Sequence, residues 1–400
     1  MQYDKPVIVA GSGPAGSLLT LYLAQHNVPV ILLEKAESLP IDLRASTFHP
    51  PSLEMLAEVG LTDAMFAKGL KVDKYAYRDR RTGEVAEFDM KLIADETPFP
   101  FRLQLEQYEM THIVGDKLKA FPHVDVRFAH EVVSVKNVEG GAEVDVRTAQ
   151  GIETLQGAFC VGTDGASSNV RKSAGIGFGG FTYDEKFLVA STPFPFEDVF
   201  DNLAYVNYVS DPDEWCVILR TEKIWRVLWP TEPGDSDDML LSDDYIQKRL
   251  KHLYDKGSDY EIGHRTLYNV HQRVSESYFN DRVVLAGDAC HINNPLGGMG
   301  MNGGLHDAYN LAQRLVRLMK EGGDHLAEFS QYDRQRRELA VDFVQKHTIE
   351  NKKLMESTDP DIQQKRQAML METASDPVKA KAFLMERAMI NCLRDSLAVQ

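Results

Sequence analysis

Three short segments of this chain combine side chains that do chemistry with glycines that admit a ligand. In the first, the apolar run 6–10 leads into Gly11-Ser12-Gly13-Pro14-Ala15-Gly16, a helical pattern follows from Leu18 to Gln25, and the apolar run Val28 to Leu33 closes on Glu34-Lys35. Glycines in such a turn let the backbone approach a pyrophosphate, whose charge the helix N-terminus stabilises, and an acid ending the second strand accepts from a ribose hydroxyl. The unit reads as a dinucleotide site for NAD or FAD; a ligand-free βα turn explains the glycines but not the acid at this separation. In the second segment, the buried-strand pattern Phe159–Gly162 runs into Thr163-Asp164-Gly165, with Arg171 a few residues on. In the third, the apolar run 282–286 runs into Gly287-Asp288-Ala289-Cys290-His291 and a glycine-rich loop from Pro295 to Asn302.

The elements that must hold these segments form an α/β body. Helical patterns cover Pro51 to Leu61, Tyr108 to Leu118, Asp243 to Tyr254 and Leu305 to Lys320, and strand candidates lie near 124–128, 131–137 and 142–148. Three strand-like pieces, 202–209, 215–220 and 224–229, separated by polar turns, predict an antiparallel sheet inserted into the nucleotide-binding body. Residues 325–400 read as all-helical, with methionines suited to packing or to a homodimer contact. The 60 acidic against 44 basic side chains, net −16, exclude a nucleic-acid surface and leave small-molecule chemistry as the expectation. The 4 scattered cysteines fit a reducing cytoplasm, and no apolar run approaches the roughly 18 residues of a membrane span.

The order and spacing of the three motifs over about residues 5–350 resemble the single-component FAD-dependent aromatic hydroxylases, the p-hydroxybenzoate hydroxylase-like flavoprotein monooxygenases. The resemblance implies a Rossmann-like FAD-binding domain (1–72, 102–182 and 270–325), a substrate-binding sheet domain (73–101 and 183–269) and a C-terminal helical region (326–400). It implies FAD as cofactor, NADH or NADPH as co-substrate, and hydroxylation of a hydroxy- or amino-substituted aromatic or N-heteroaromatic ring by a C4a-hydroperoxyflavin. On the FAD side, Gly11, Gly13, Ala15, Gly16, Glu34 and Lys35 belong to the dinucleotide turn. Arg44 and Gln107 match residues contacting the phosphates and ribitol, with Gln104 a competitor for Gln107, and Val133 falls beside the adenine.

Asp164 and Arg171 resemble the family's Asp-Gly motif, which touches FAD and pyridine nucleotide, although holding the loop is an equal reading. Asp288, just after a strand, is placed to accept from ribitol hydroxyls. The N–H groups of Gly300, Met301 and Asn302, ahead of the Leu305 helix, are placed to stabilise charge on the reduced flavin, and Gly298 with its neighbouring glycines lets the main chain lie against the ring.

For substrate, Tyr205 resembles a tyrosine that hydrogen-bonds the substrate phenol, and Asn207 and Arg220 are further candidates on the sheet; plain packing or solvation competes for Tyr205 and Arg220. Pro295 matches a proline whose carbonyl lies near the reactive edge of the flavin. His49 and His291 have the chemistry of an acid or base, His291 also that of a loop brace, and Cys290 reads as packing. No metal is required. Trp225 and Trp229 lie four apart, unlike the tryptophans of flavin-dependent halogenases, and read as a sheet strand. A same-fold flavoenzyme with other chemistry, an isoprenoid reductase or partner-reduced halogenase, and a non-catalytic flavin-binding protein are the alternatives.

Overall fold

The computed structural model describes residues 4–41, 43, 45–211, 213–357 and 359–399. The first motif folds as expected. Val7–Ala10 and Val30–Leu33 are adjacent parallel strands, and the intervening helix, Pro14–Gln25, begins at the proline. Proline suits a first helical position, where its missing N–H costs nothing. These strands sit in a six-stranded sheet, in the order Phe279–Asn280, Val283–Leu285, Phe159–Gly162, Val7–Ala10, Val30–Leu33 and Val124–Arg127. Five of its strands run parallel, so all three motifs leave the same, C-terminal edge of one sheet. One continuous apolar core lies against it, including Leu18, Leu21, Leu305 and Leu311.

A second, eight-stranded sheet contains the three expected strands as Val206–Ser210, Cys216–Arg220 and Trp225–Pro230. Lys74–Asp79 and Val85–Asp89 join it at one edge, the former parallel to Val206–Ser210, so the inserted sheet is not wholly antiparallel. Two long antiparallel strands, Phe178–Thr192 and His264–Ser275, were not foreseen. The expected domain boundaries at 182/183 and 269/270 fall inside them, because each strand runs unbroken from one body into the other.

The two faces of this sheet pack against different partners. Trp225, Val227, Trp229, Ile218, Cys216 and Val209 form a far-face core with Ile246 and Leu250 of the helix Asp243–Leu253. Val206, Tyr208, Val217 and Phe187 look the other way, packing with Leu296 of the glycine-rich loop and with Met355, Leu370 and Leu384 of the C-terminal helices. The last residues are helical as expected, in the runs His325–Leu339, Lys346–Glu356, Pro360–Ser375, Pro377–Arg387 and Ile390–Ala398. A π-helical turn, Ala340–Gln345, joins the first two. No described helix is long and apolar enough to cross a membrane.

Candidate active site

The glycines of the first turn divide by what surrounds them. A Cβ on Gly11, which has φ +99°, would sit 2.6 Å from the Thr163 carbonyl oxygen, and one on Gly16 would sit 2.0 Å from that of Gly11. These two close the turn against the second motif. Among the described residues, Gly13 has nothing within 4 Å of its would-be Cβ, and no side chain caps the helix that starts after it. The only glycine of the three without a protein reason to be glycine is therefore the one at the helix N-terminus, where a diphosphate would lie.

Glu34 is buried beside the turn, its Oε2 accepting from the N–H and Oγ of Ser12 at 3.0 and 2.7 Å and its Oε1 from the Ala36 N–H. Those bonds fix the carboxylate at the end of its strand. Lys35 is exposed. Val133 is half-buried on Glu131–Val138, and Arg44 lies outside the described residues.

Gln107 begins the helix Gln107–Leu118 and is half-buried, whereas Gln104 is fully buried. The Gln104 Oε1 accepts from Thr47 Oγ1 at 3.0 Å, and its Nε2 has no partner among the described residues. Gln104 is thus the amide with a donor to offer. In the second motif, Asp164 Oδ2 accepts from the N–H groups of Asn169 and Val170, and Oδ1 is left over. Arg171 donates to the carbonyls of Ala289 and Ala166 at 2.7 and 2.8 Å and lies 3.9 Å over Phe178, so it holds the loops together.

The third motif departs from expectation in where its helix starts. The helix runs Met299–Glu321, so Gly300, Met301 and Asn302 lie in its first turn rather than ahead of it. Its cap is Gly298, at φ 67° in the left-handed region, with no capping side chain. Each glycine here has a protein neighbour rather than open space for a ring: Gly298 faces Thr47, Gly300 faces Asn293, Gly303 faces His291, and Gly304 lies 3.0 Å from the Gly287 Cα. The close approach of Gly287, Gly304 and Ala15 lets this long helix cross the first one. The Asn302 side chain is fully used, donating to the carbonyls of Thr47 and Gly298 and accepting from the His49 N–H. Pro295 is exposed and its carbonyl accepts from the Gly298 N–H at 3.0 Å. Asp288 is exposed on a short 3-10 turn at the sheet edge.

His49 is fully buried, its Nε2 donating to the Gly297 carbonyl at 2.9 Å. Burial, with the nearby Arg102 cation, pushes its pKa down to about 3, so at neutral pH it is an uncharged donor that steadies the loop rather than a proton carrier. His291 donates through Nε2 to Asp307 Oδ2 at 2.7 Å, and Arg336 holds Asp307 Oδ1 at the same distance. Burial works against the Asp307 charge, but His291 and Arg336 outweigh it and hold the carboxyl at about 2. Cys290 packs here with its S–H on the Gly287 carbonyl, and burial pushes its thiol far up. The Cys290, His291 and Asp307 donor atoms are close enough to suit a metal, but these partners already satisfy them.

Strand alternation places the substrate-side candidates on the sheet face turned away from the glycine-rich loop. Val206 and Tyr208 face the glycine-rich loop, so Tyr205 and Asn207 point to the far face, as does Arg220 on the next strand. The Tyr205 ring meets Trp225 edge-on at 6.2 Å. Asn207 is fully buried, accepting from Arg78 Nε and donating to the Ala204 carbonyl. Arg220 lies 3.6 Å from Glu197. Trp225 and Trp229 share that face, as residues of a sheet strand.

The near face carries groups that motif reading missed: Tyr208, Tyr77, Tyr75 and the fully buried Arg102. Tyr77 stacks on Tyr208 at 4.9 Å, and the Arg102 guanidinium lies 4.0 Å over the Tyr75 ring. The available signal was a lone cation in the apolar run Phe99-Pro100-Phe101-Arg102-Leu103.

A nucleotide turn at the edge of one sheet, joined by a glycine-rich loop to the inner face of a second, defines a flavoprotein oxidoreductase. The FAD binding domain family profile matches residues 4–347, and the chain belongs to this family, among its FAD-dependent aromatic hydroxylases. It is 29% identical over 394 residues to para-nitrophenol 4-monooxygenase of Pseudomonas sp. (strain WBC-3), covering 96% of each chain. It is 32% identical over 351 residues to 6-hydroxy-3-succinoylpyridine 3-monooxygenase HspB of Pseudomonas putida (strain DSM 28022 / S16), covering 84% of this chain and 86% of that one. The crystal structure of p-nitrophenol 4-monooxygenase PnpA from Pseudomonas putida DLL-E4 superposes with TM-score 0.91 at 28% identity, covering 98% and 99% of the two chains. The protein is a flavin-dependent aromatic monooxygenase, and its cofactor is FAD.

Proposed function

We propose that this enzyme uses NADH or NADPH and O2 to hydroxylate an aromatic or N-heteroaromatic ring that carries a hydroxyl or amino group. The observation that carries the reading is the seating of the loop 295–298: Leu296 packs into the near face of the large sheet, while His49 grips Gly297 from the FAD-binding body. A flavin ring held at that loop would adjoin the near face of the large sheet. The relatives named above act on a nitrophenol and a hydroxypyridine, both hydroxylated rings with an electron-withdrawing substituent, which supports the same substrate class here.

FAD, once bound and reduced, supplies the activation of oxygen. The chain's residues bind and orient. Gly13 and the start of the helix Pro14–Gln25 receive the diphosphate, and Glu34 receives a ribose hydroxyl. Gln104 offers its free Nε2 and Asp288 a carboxylate at the sheet edge. The uncapped N-terminus of Met299–Glu321, fixed by the Asn302 and His49 bonds, stabilises negative charge on the ring. The apolar near face, with Leu296, Val217 and Phe187, keeps water from the reacting carbon.

Anaerobic mixing of the FAD-loaded enzyme with NADH or NADPH, monitored at the flavin absorption band, tests this reading. Reduction is expected to be stimulated about tenfold or more by one class among phenols, anilines, hydroxybenzoates and hydroxypyridines, the stimulation a bound substrate exerts when it positions the reactants. Reduction by neither nucleotide, with turnover restored by a separate reductase, would move the enzyme to a partner-dependent class.

A further inference from the structure

Arg102 is a buried cation with no carboxylate ion-paired to it among the described residues. The other fully or nearly buried guanidiniums near the site have acceptors: Arg336 has Asp307, Arg226 has Glu106 at 2.8 Å and the Leu43 carbonyl at 3.1 Å, and Arg171 has two carbonyls. Around Arg102 the groups that support the charge are the hydroxyls of Tyr208, Tyr75 and Tyr77, and burial acts against it. Among the described residues its Nε has no hydrogen-bond partner, nor do the Tyr75 hydroxyl and His49 Nδ1, all buried. Desolvating a guanidinium costs several kcal/mol unless an anion is there to meet it.

The position is equally specific. Thr47 pairs with Gln104 and Phe48 with Leu103, so the same register sets Arg102 across from His49, which holds Gly297. On its other side Arg102 pairs with Val72. The guanidinium therefore lies one side chain from the glycine-rich loop, and its tyrosines come from the large sheet's near face. A charge-assisted hydrogen bond to an oxyanion in such a water-poor site is both short and selective.

We propose that Arg102 receives an anionic oxygen of the aromatic substrate, the phenolate or a ring carboxylate, and so makes the enzyme selective for anionic rings. Tyr208 and Tyr75 are positioning residues: the Tyr208 hydroxyl bonds and orients the guanidinium, and the Tyr75 ring supports its face. A phenol that binds in this way loses its proton to solvent on binding, which leaves the ring electron-rich, the state an electrophilic oxygen transfer requires. The inference rests on the flavoenzyme reading above.

The test titrates the FAD-loaded enzyme with two isosteric pairs, 4-nitrophenolate against 4-nitroaniline and benzoate against benzamide, by flavin absorption difference spectra and calorimetry. In the wild type the anion of at least one pair binds the tighter, and which pair responds tells phenolate from carboxylate. Arg102→Met weakens that anion roughly 30-fold or more and its neutral partner less than about threefold. Arg102→Lys, which keeps the charge without the planar fork, falls between and covers the case in which the methionine variant does not fold. Equal loss or no loss for both members, with FAD content unchanged, overturns the anchor but leaves the flavoenzyme reading standing. A wild type that holds FAD and prefers neither anion also overturns it. A wild type that takes up no FAD defeats the underlying reading, and the anchor with it.

Discussion

Asp307→Ala lowers the unfolding free energy by about 3–5 kcal/mol, the scale seen when one partner of a buried ion pair is removed. The carboxylate is fully buried and holds Arg336 at 2.7 Å, His291 at 2.7 Å and the Gly287 N–H at 3.2 Å. Its loss strands a guanidinium that is itself 1% exposed. The same bonds give the pH dependence. Asp307 is held at about 2 against an ordinary 3.8, so its contribution is fully present above about pH 4 and disappears as pH falls through 2. That shift corresponds to about 2 kcal/mol. Urea unfolding of wild type and variant between pH 7 and 2 checks both numbers. A variant within about 1 kcal/mol of wild type at pH 7 would show that the cluster does not brace the loop.

Gly13→Val separates cofactor cradle from structural turn. Gly13 has φ −63° and ψ 179°, extended backbone open to any residue, and nothing lies within 4 Å of a Cβ built there. The apoprotein should melt within about 2 °C of wild type, because no contact changes. FAD affinity should fall roughly 100-fold or more, since the new side chain fills the place of the diphosphate and removes its charge-assisted bonds to the helix N-terminus. Gly16→Val is the contrasting variant. Its Cβ would lie 2.0 Å from the Gly11 oxygen and 2.5 Å from Thr163 Oγ1, so stability itself falls, by about 1–3 kcal/mol or more. Melting curves of the apoproteins and FAD titrations read the two effects separately. Full FAD binding by Gly13→Val would remove the turn from the cofactor site.

These contrasts bear on what the sequence could reveal. The nucleotide turn was legible because short-range rules fix it: a buried strand, glycines at set positions, a helix and an acid are all local features. The start of Met299–Glu321 was not, because Gly300, Gly303 and Gly304 are poor helix formers and close packing against Asn293, His291 and Gly287 overrides their propensity. Which face of the large sheet meets the glycine-rich loop was not legible for a geometric reason. All five residues of Val206–Ser210 are buried, so no polar-apolar alternation marks which side is which, and Tyr205 and Tyr208, an odd number of residues apart, fall on opposite faces. Arg102 sits on a three-residue strand, Arg102–Gln104, too short to show a pattern. Asp307 and Arg336 lie 29 residues apart on different helices and meet only in the folded chain.

Turnover under 18O2 tests the central claim most directly. With NADH or NADPH and the aromatic that most stimulates flavin reduction, the predicted product carries one new ring hydroxyl whose oxygen comes from the gas, two mass units heavier than under ordinary O2. Label drawn instead from water, or nucleotide oxidation yielding peroxide with no hydroxylated product from any ring that stimulates it, would contradict the assignment of this protein as an aromatic hydroxylase.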